Sequence, residues 1–196
     1  MGTIVISSNV TLDGVVQDPD GEEGFEQGGW FHQVVGSKDL AAWVARETEE
    51  LRDVQALLFG GRSSEWFASR MVARDGAELR VSREWADRVK SLPKYVVSST
   101  LEDLQWSNAT AINAKEVSEL KQTVDGEILV YGSYQLIRVL VEQNLVDELR
   151  LVVFPVVLGT GRRIFDETSD RLPLQLVSTS KLGDNLMFCT YELGKN

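Results

Sequence analysis

Three short runs of small polar residues have the composition to do chemistry: Phe59-Gly60-Gly61-Arg62-Ser63-Ser64, Val97-Ser98-Ser99-Thr100 and Tyr131-Gly132-Ser133. Each follows an apolar, strand-like segment. The first gathers backbone amides, two hydroxyls and a guanidinium where a helix begins, which is the donor set that a phosphate group needs. The second adds hydroxyls. In the third, glycine lets a pyrophosphate approach the backbone at the start of another helix. Any one of these is an ordinary turn and cap when taken alone. Their joint occurrence points to a compact, phosphate-bearing ligand.

Other chemistries are excluded by what the chain lacks. His32 is the only histidine and no Gly-x-Ser-x-Gly elbow exists, so triad hydrolysis and the two-histidine zinc helix are out. The Walker phosphate loop is missing. Gly159-Thr160-Gly161 follows a strand, but Ile164 stands where the third small residue of a dinucleotide fingerprint belongs. Cys189 is the only cysteine, so no internal disulfide and no cysteine-based zinc site is possible, and no metal is expected.

Among single residues, Asp13 is a candidate to orient a substrate or relay protons, although Asp13-Gly14 is equally a turn pair. Asp39 and Glu47 are acids on a helix, either catalytic or merely exposed. Trp30 and Phe31, beside His32, either stack on a flat heterocycle or pin a long loop to the core.

The whole chain has 196 residues, 43% hydrophobic and 26% charged, which fits one globular α/β domain spanning residues 1–196. The formal charge of −10 repels polyphosphate at long range, so nucleic acid is not an expected partner. One arginine at short range still outweighs distant, screened carboxylates for a small anion. The longest apolar run, Leu151 to Leu158, holds Pro155 and falls far short of the roughly 20 residues that cross a bilayer. The N-terminus lacks a basic signal-peptide region. No membrane association and a cytoplasmic location are therefore expected.

The elements that position these residues read as alternating strands and helices. Thr3 to Asn9 and Ala56 to Phe59 are strands, joined by a helix on which Leu40, Trp43, Val44, Thr48 and Leu51 recur after a Ser37 cap. The glycine-rich stretch from Val10 to Gly36 is too long for an ordinary connection and reads as a functional loop. A helix near Arg83 to Lys90, strands at Tyr95 to Ser98 and Ala109 to Ile112, and a helix capped by Asn113 with Glu116 follow. Ile128 to Tyr131 and Leu149 to Val157 are strands on either side of a helix bearing Leu136, Ile137, Leu140 and Val141. Leu174 to Lys181 and Leu186 to Leu193 flank Gly183-Asp184-Asn185 as an antiparallel hairpin. The sheet is mixed and mostly parallel, with helices on both faces.

An ordered series of segments makes the reading specific: Ser8-Asn9-Val10-Thr11-Leu12-Asp13-Gly14-Val15, Gly28-Gly29-Trp30, Phe59-Gly60-Gly61-Arg62, Lys94 to Leu101, Val130-Tyr131-Gly132-Ser133, Leu145 to Leu149, and Phe154 to Gly161. In this series the chain resembles the dihydrofolate-reductase-like family that includes the C-terminal reductase domain of the bifunctional riboflavin-biosynthesis protein, especially its small stand-alone bacterial members. The resemblance implies a three-layer sandwich with an antiparallel C-terminal hairpin, a homodimer, and NADPH as cofactor for reducing a small pteridine-like, pyrimidine-like or other conjugated molecule. It assigns Arg62, Ser98 and Ser99 to the 2′-phosphate, Ser63, Ser64, Gly132 and Ser133 to the pyrophosphate, and Leu12 to Val15, with Leu12 and Gly14 as contacts, to the nicotinamide border. Gly61, Thr100 and Tyr134 are implied as further cofactor-binding residues. Many relatives carry paired glycines in place of Gly132-Ser133 and a lysine-threonine pair in place of Ser63-Ser64. The position of the substrate-binding carboxylate of true dihydrofolate reductases falls on Ala45, with Glu47 the nearest acid. Folate reduction is therefore not implied. The same pattern would also suit a nucleotide-binding module, or a structural homologue without turnover.

Overall fold

Ile4, Val5 and Ile6 drive the first strand, β1 (Thr3–Thr11), two residues longer than the expected segment. The structure is a computed structural model that describes residues 1–71, 81–98, 104–165 and 171–194. The remaining strands are β2 (Val54–Gly60), β3 (Lys94–Val97), β4 (Ala109–Ile112), β5 (Glu127–Tyr131), β6 (Glu148–Phe154), β7 (Leu174–Leu182) and β8 (Leu186–Leu193). All eight lie in one sheet in the order β4-β3-β2-β5-β1-β6-β8-β7. The pairs β2·β3, β2·β5 and β3·β4 are parallel, and β6·β8 and β7·β8 are antiparallel. The helices are α1 (Trp30–Val34), α2 (Ser37–Glu50), α3 (Gly61–Met71), α4 (Arg83–Ser91), α5 (Val117–Thr123) and α6 (Tyr134–Glu142).

The chain divides into two compact units, one made of Met1–Ile6 with Val44–Val146 and the other of Ser7–Trp43 with Asp147–Asn196. In the first unit, Leu57, Phe59, Leu129 and Tyr131 of β2 and β5 pack with Leu51, Ala68, Trp85 and Val89. Each fully buried aliphatic or aromatic side chain of this kind contributes about 2 kcal/mol of transfer free energy. Ser82 caps α4 by accepting from the Trp85 amide at 3.0 Å. Asn113 and Glu116 form the expected capping box, here on a short 3₁₀ turn that leads into α5. Lys94, at the start of β3, is only 1% exposed. Its ammonium donates to the Lys90 and Leu92 carbonyls and to Asn108 Oδ1, and burial pulls its pKa down to about 8.

In the second unit, Trp30 and Phe31 of α1 pack with Val152 and Phe154 of β6 and with Leu186 and Phe188 of β8. The strand expected to reach Val157 stops at Phe154, because Pro155 has no amide to give the ladder. Ser37 begins α2 rather than preceding it. The carboxylate of Asp39 accepts instead from the Gly36 amide, at 3.3 Å.

Candidate functional site

In the first unit, β3, β2 and β5 are neighbouring parallel strands, so their C-terminal ends lie along one edge. At about 4.8 Å per strand, the outer two are about 10 Å apart. β2 ends on Gly60 and passes directly into α3. β3 ends on Val97, and Ser98 follows with its amide bonded to the Ile112 carbonyl. β5 ends on Tyr131 and passes through Gly132 and Ser133 into α6. Three of the sequence-predicted runs thus meet along one edge. Arg62 is exposed and Ser63 half-buried, both on the first turn of α3. Ser64 is buried, and its carbonyl accepts from the Trp106 indole. Ser99 and Thr100 lie outside the described residues.

The first and third corners are tied together by hydroxyls. Ser133 Oγ donates to Ser63 Oγ at 2.6 Å and accepts from the Gly60 amide at 3.0 Å. Gly132 has φ 57°, a left-handed conformation that glycine adopts without steric cost. A Cβ built on Gly132 would lie 3.8 Å from Ser63 Oγ, an ordinary contact, so the constraint at this position is the backbone conformation rather than space.

Behind this edge lies a buried carboxyl pair. Glu47 and Glu50 are 7% and 4% exposed, and Tyr131 and Trp85 are buried with them. Burial first, and then the neighbouring Glu50 charge, push the Glu47 carboxyl up to about 8. It is therefore mostly protonated at neutral pH, and it hydrogen-bonds the Tyr131 hydroxyl. That hydroxyl also accepts from the Trp85 indole at 3.5 Å. Burial pushes Tyr131 well above the usual phenol range. The sequence held a signal for this burial: Glu47 falls four residues after Trp43 and four before Leu51, on the apolar stripe of α2.

The second unit shows what Asp13 does. Its Oδ1 accepts from Thr11 Oγ1 at 2.6 Å and from the Leu158 amide at 3.3 Å, and its Oδ2 from the Gly159 amide at 2.8 Å. Arg163 donates to its backbone carbonyl and reaches within 3.8 Å of Oδ2. The Thr11 hydroxyl leads in holding the carboxyl below its ordinary range. A carboxylate so engaged is a hydrogen-bond acceptor that joins the Leu12–Val15 turn to the segment around Gly159. Gly14 has φ 82° in that turn, and Leu12 is 64% exposed at its tip. Nothing in local spacing could have revealed partners about 145 residues away.

Trp30 and Phe31 are core residues. Trp30 is fully buried, edge-on to Phe154 at 5.3 Å, and its indole donates to the Gln17 carbonyl. Phe31 packs edge-on against Trp43 at 5.0 Å. Stacking on a substrate needs an accessible ring face, and the loop-pinning role is the one their burial supports. Asp39 likewise holds structure: it accepts from the Asp184 and Asn185 amides and from the Asn185 side chain. Among the described residues, no group of three or more His, Cys, Asp or Glu side chains is placed to hold a metal ion. No described helix is long and apolar enough to cross a membrane.

A family model described as the RibD C-terminal domain matches residues 2–188. The uncharacterized protein YyaP of Bacillus subtilis (strain 168) is 27% identical over 191 residues, which is 96% of this chain and 93% of the relative. Among solved structures, a Shewanella sp. PV-4 protein assigned to riboflavin biosynthesis has a TM-score of 0.68 at 19% identity, covering 98% of this chain and 99% of that one. A pyrimidine reductase-like protein of Corynebacterium diphtheriae has a TM-score of 0.56 at 11% identity, covering 99% and 92%. The structural likeness establishes a dihydrofolate-reductase-like fold, with its mixed sheet and antiparallel C-terminal strands.

Proposed function

From the premise that the chain belongs to the RibD C-terminal domain family, we propose that it is an NADPH-dependent oxidoreductase acting on a small heterocyclic substrate of pteridine-like, ribosylaminopyrimidine-like or other conjugated kind. Family and fold make it a reductase-like domain. The observation that supports a cofactor role is the row of strand ends at Gly60, Val97 and Tyr131, with Arg62 exposed beside them.

The residues present fit a phosphate-bearing cofactor. Gly61 and Tyr134 begin α3 and α6, whose first turns present amides to an anion, and glycine at 132 keeps the backbone approachable. Arg62 offers a planar cationic fork for the terminal 2′-phosphate, and Ser98, just past the end of the neighbouring strand, offers a hydroxyl. Ser63 and Ser133 supply hydroxyls. When bound, NADPH supplies the hydride. In the second unit, Asp13 holds the Leu12–Val15 turn in place. Glu47 is a protonated acid at neutral pH, which makes it a candidate to hold a proton rather than to accept one.

The test is a fluorescence titration with NADPH, followed by assay of NADPH absorbance with pteridines, dihydrofolate, ribosylaminopyrimidines and quinones. We expect saturable binding and loss of absorbance with one of these classes. Binding without turnover on any of them would favour a nucleotide-binding module. The absence of binding would leave a structural homologue.

A further inference from the structure

In an antiparallel ladder, residues paired across neighbouring strands point to the same side of the sheet. One side of β6 and β8 bears Val152, Phe154, Leu186 and Phe188, which pack with Trp30 and Phe31 of α1. The other side is apolar as well. Met187 and Tyr191 lie on it with their β6 partners, Val153 and Leu149. β7 adds Leu174 and Leu176 to this side, because they pair with Leu193 and Tyr191. That placement depends on the register shift between Leu176 and Ser178. In a regular strand, Leu174 and Leu176 would point away from the side that Thr179 and Lys181 share with Cys189 and Met187.

Toward β6 this second face is closed, since Leu149 and Cys189 are buried. Toward β7 it is open: Leu174, Leu176 and Met187 are 37%, 53% and 43% exposed. The solvated face of an antiparallel sheet is ordinarily polar, and apolar side chains gathered on one mark an interaction surface. Charge selects the occupant. The chain holds 30 acidic residues against 20 basic ones, yet β7 carries no acid, and Glu192 of β8 pairs with Gln175 on the opposite face. Lys181 is the only charge that β6, β7 and β8 place on the open face. A cationic partner would find no carboxylate there, and an anionic membrane or a nucleic acid would meet the repulsion of the whole chain. Two copies of an acidic chain approach with least repulsion where neither presents an acid. A two-fold axis sets the same patch on both sides, so one apolar face covers the other and assembly stops at two.

We propose that the open face of the β7–β8 hairpin is the surface on which a second copy of this chain docks, Leu174, Leu176 and Met187 of each copy packing against those of the other. This inference is independent of the cofactor reading above.

Sedimentation equilibrium of the parent, Leu176→Asp, Leu176→Lys and Val157→Asp tests it. Leu176 and Val157 are more than half exposed, so circular dichroism should show every variant folded. The parent should have twice the 21.9 kDa of one chain. Leu176→Asp and Leu176→Lys should each raise the dimer dissociation constant at least about a hundredfold, because like charges would meet in a desolvated interface. Val157→Asp, outside the three strands, should leave the parent's mass unchanged. A mixture of Leu176→Asp with Leu176→Lys should recover the dimer by pairing opposite charges, which a merely misfolded hairpin would not do. Dimers that persist in both charged variants, or a mixture that stays dissociated, overturn this surface while leaving a homodimer through another face. A parent that remains at 21.9 kDa at every concentration overturns the homodimer itself. A monomeric parent that co-sediments with phosphatidylcholine vesicles, when Leu176→Asp does not, overturns the proposal by giving the face to lipid.

Discussion

Glu47 sets a pH dependence that can be read at the level of one carboxyl. Its ordinary value is 4.5, and in the folded protein burial lifts it to about 8. Between those values the native state holds a proton that the unfolded chain has released, so stability falls as pH rises through that window. The contribution is complete below the unfolded value and gone above the folded one. Lys94 acts in the opposite direction, but between about 8 and its ordinary 10.5, so it leaves the lower window to Glu47. The denaturant midpoint should therefore be higher near about pH 5.5 than near about pH 8, and Glu47→Gln should flatten the difference. A slope that survives the substitution would assign it to other groups. Asp13 makes a separate prediction. Asp13→Ala removes an acceptor shared by two amides and one hydroxyl, and should lower stability by about 2 kcal/mol as judged by chemical denaturation. An unchanged midpoint would show that the turn holds without it.

Elements were legible where local chemistry decides them. The alternation of apolar runs with amphipathic stretches gave the strands and helices, Asn113 with Glu116 marked the start of a helix, and Gly183-Asp184-Asn185 marked the hairpin. The three polar runs were legible as strand ends because each one follows an apolar run. Contacts between distant segments were not legible. Asp39 looks like any exposed acid in the first turn of a helix, yet it is 1% exposed and receives the β7–β8 turn. A Cβ at Gly183 would come within 2.6 Å of the Asp39 Cα, so the turn is glycine where it meets the helix. Burial raises the Asp39 carboxyl and the Asn185 and Asp184 amides lower it, with a net shift below 3.8. The stability it contributes is therefore present above 3.8 and lost as pH falls through the folded value. Asp39→Ala should cost about 3 kcal/mol at neutral pH and speed amide exchange in the hairpin turn ahead of the rest of the sheet. Exchange that rises equally everywhere would contradict a local latch.

For the whole molecule, the acidic balance and the cofactor reading have to coexist. A net charge of −10 slows the approach of any anion, and added salt screens that repulsion. The association rate for NADPH should accordingly rise with moderate salt, even as the short-range contact with Arg62 weakens. We also propose a homodimer on the family resemblance. Sedimentation should give twice the 21.9 kDa of one chain, and a species at 21.9 kDa would count against it. The central claim is that the ends of β2, β3 and β5 receive one phosphate-bearing ligand. An amide chemical-shift titration with NADPH tests it most directly. The account predicts that Gly61, Arg62, Ser98, Gly132 and Tyr134 shift together along a single binding curve. Shifts confined to one of these corners, or centred on residues away from all three, would contradict it.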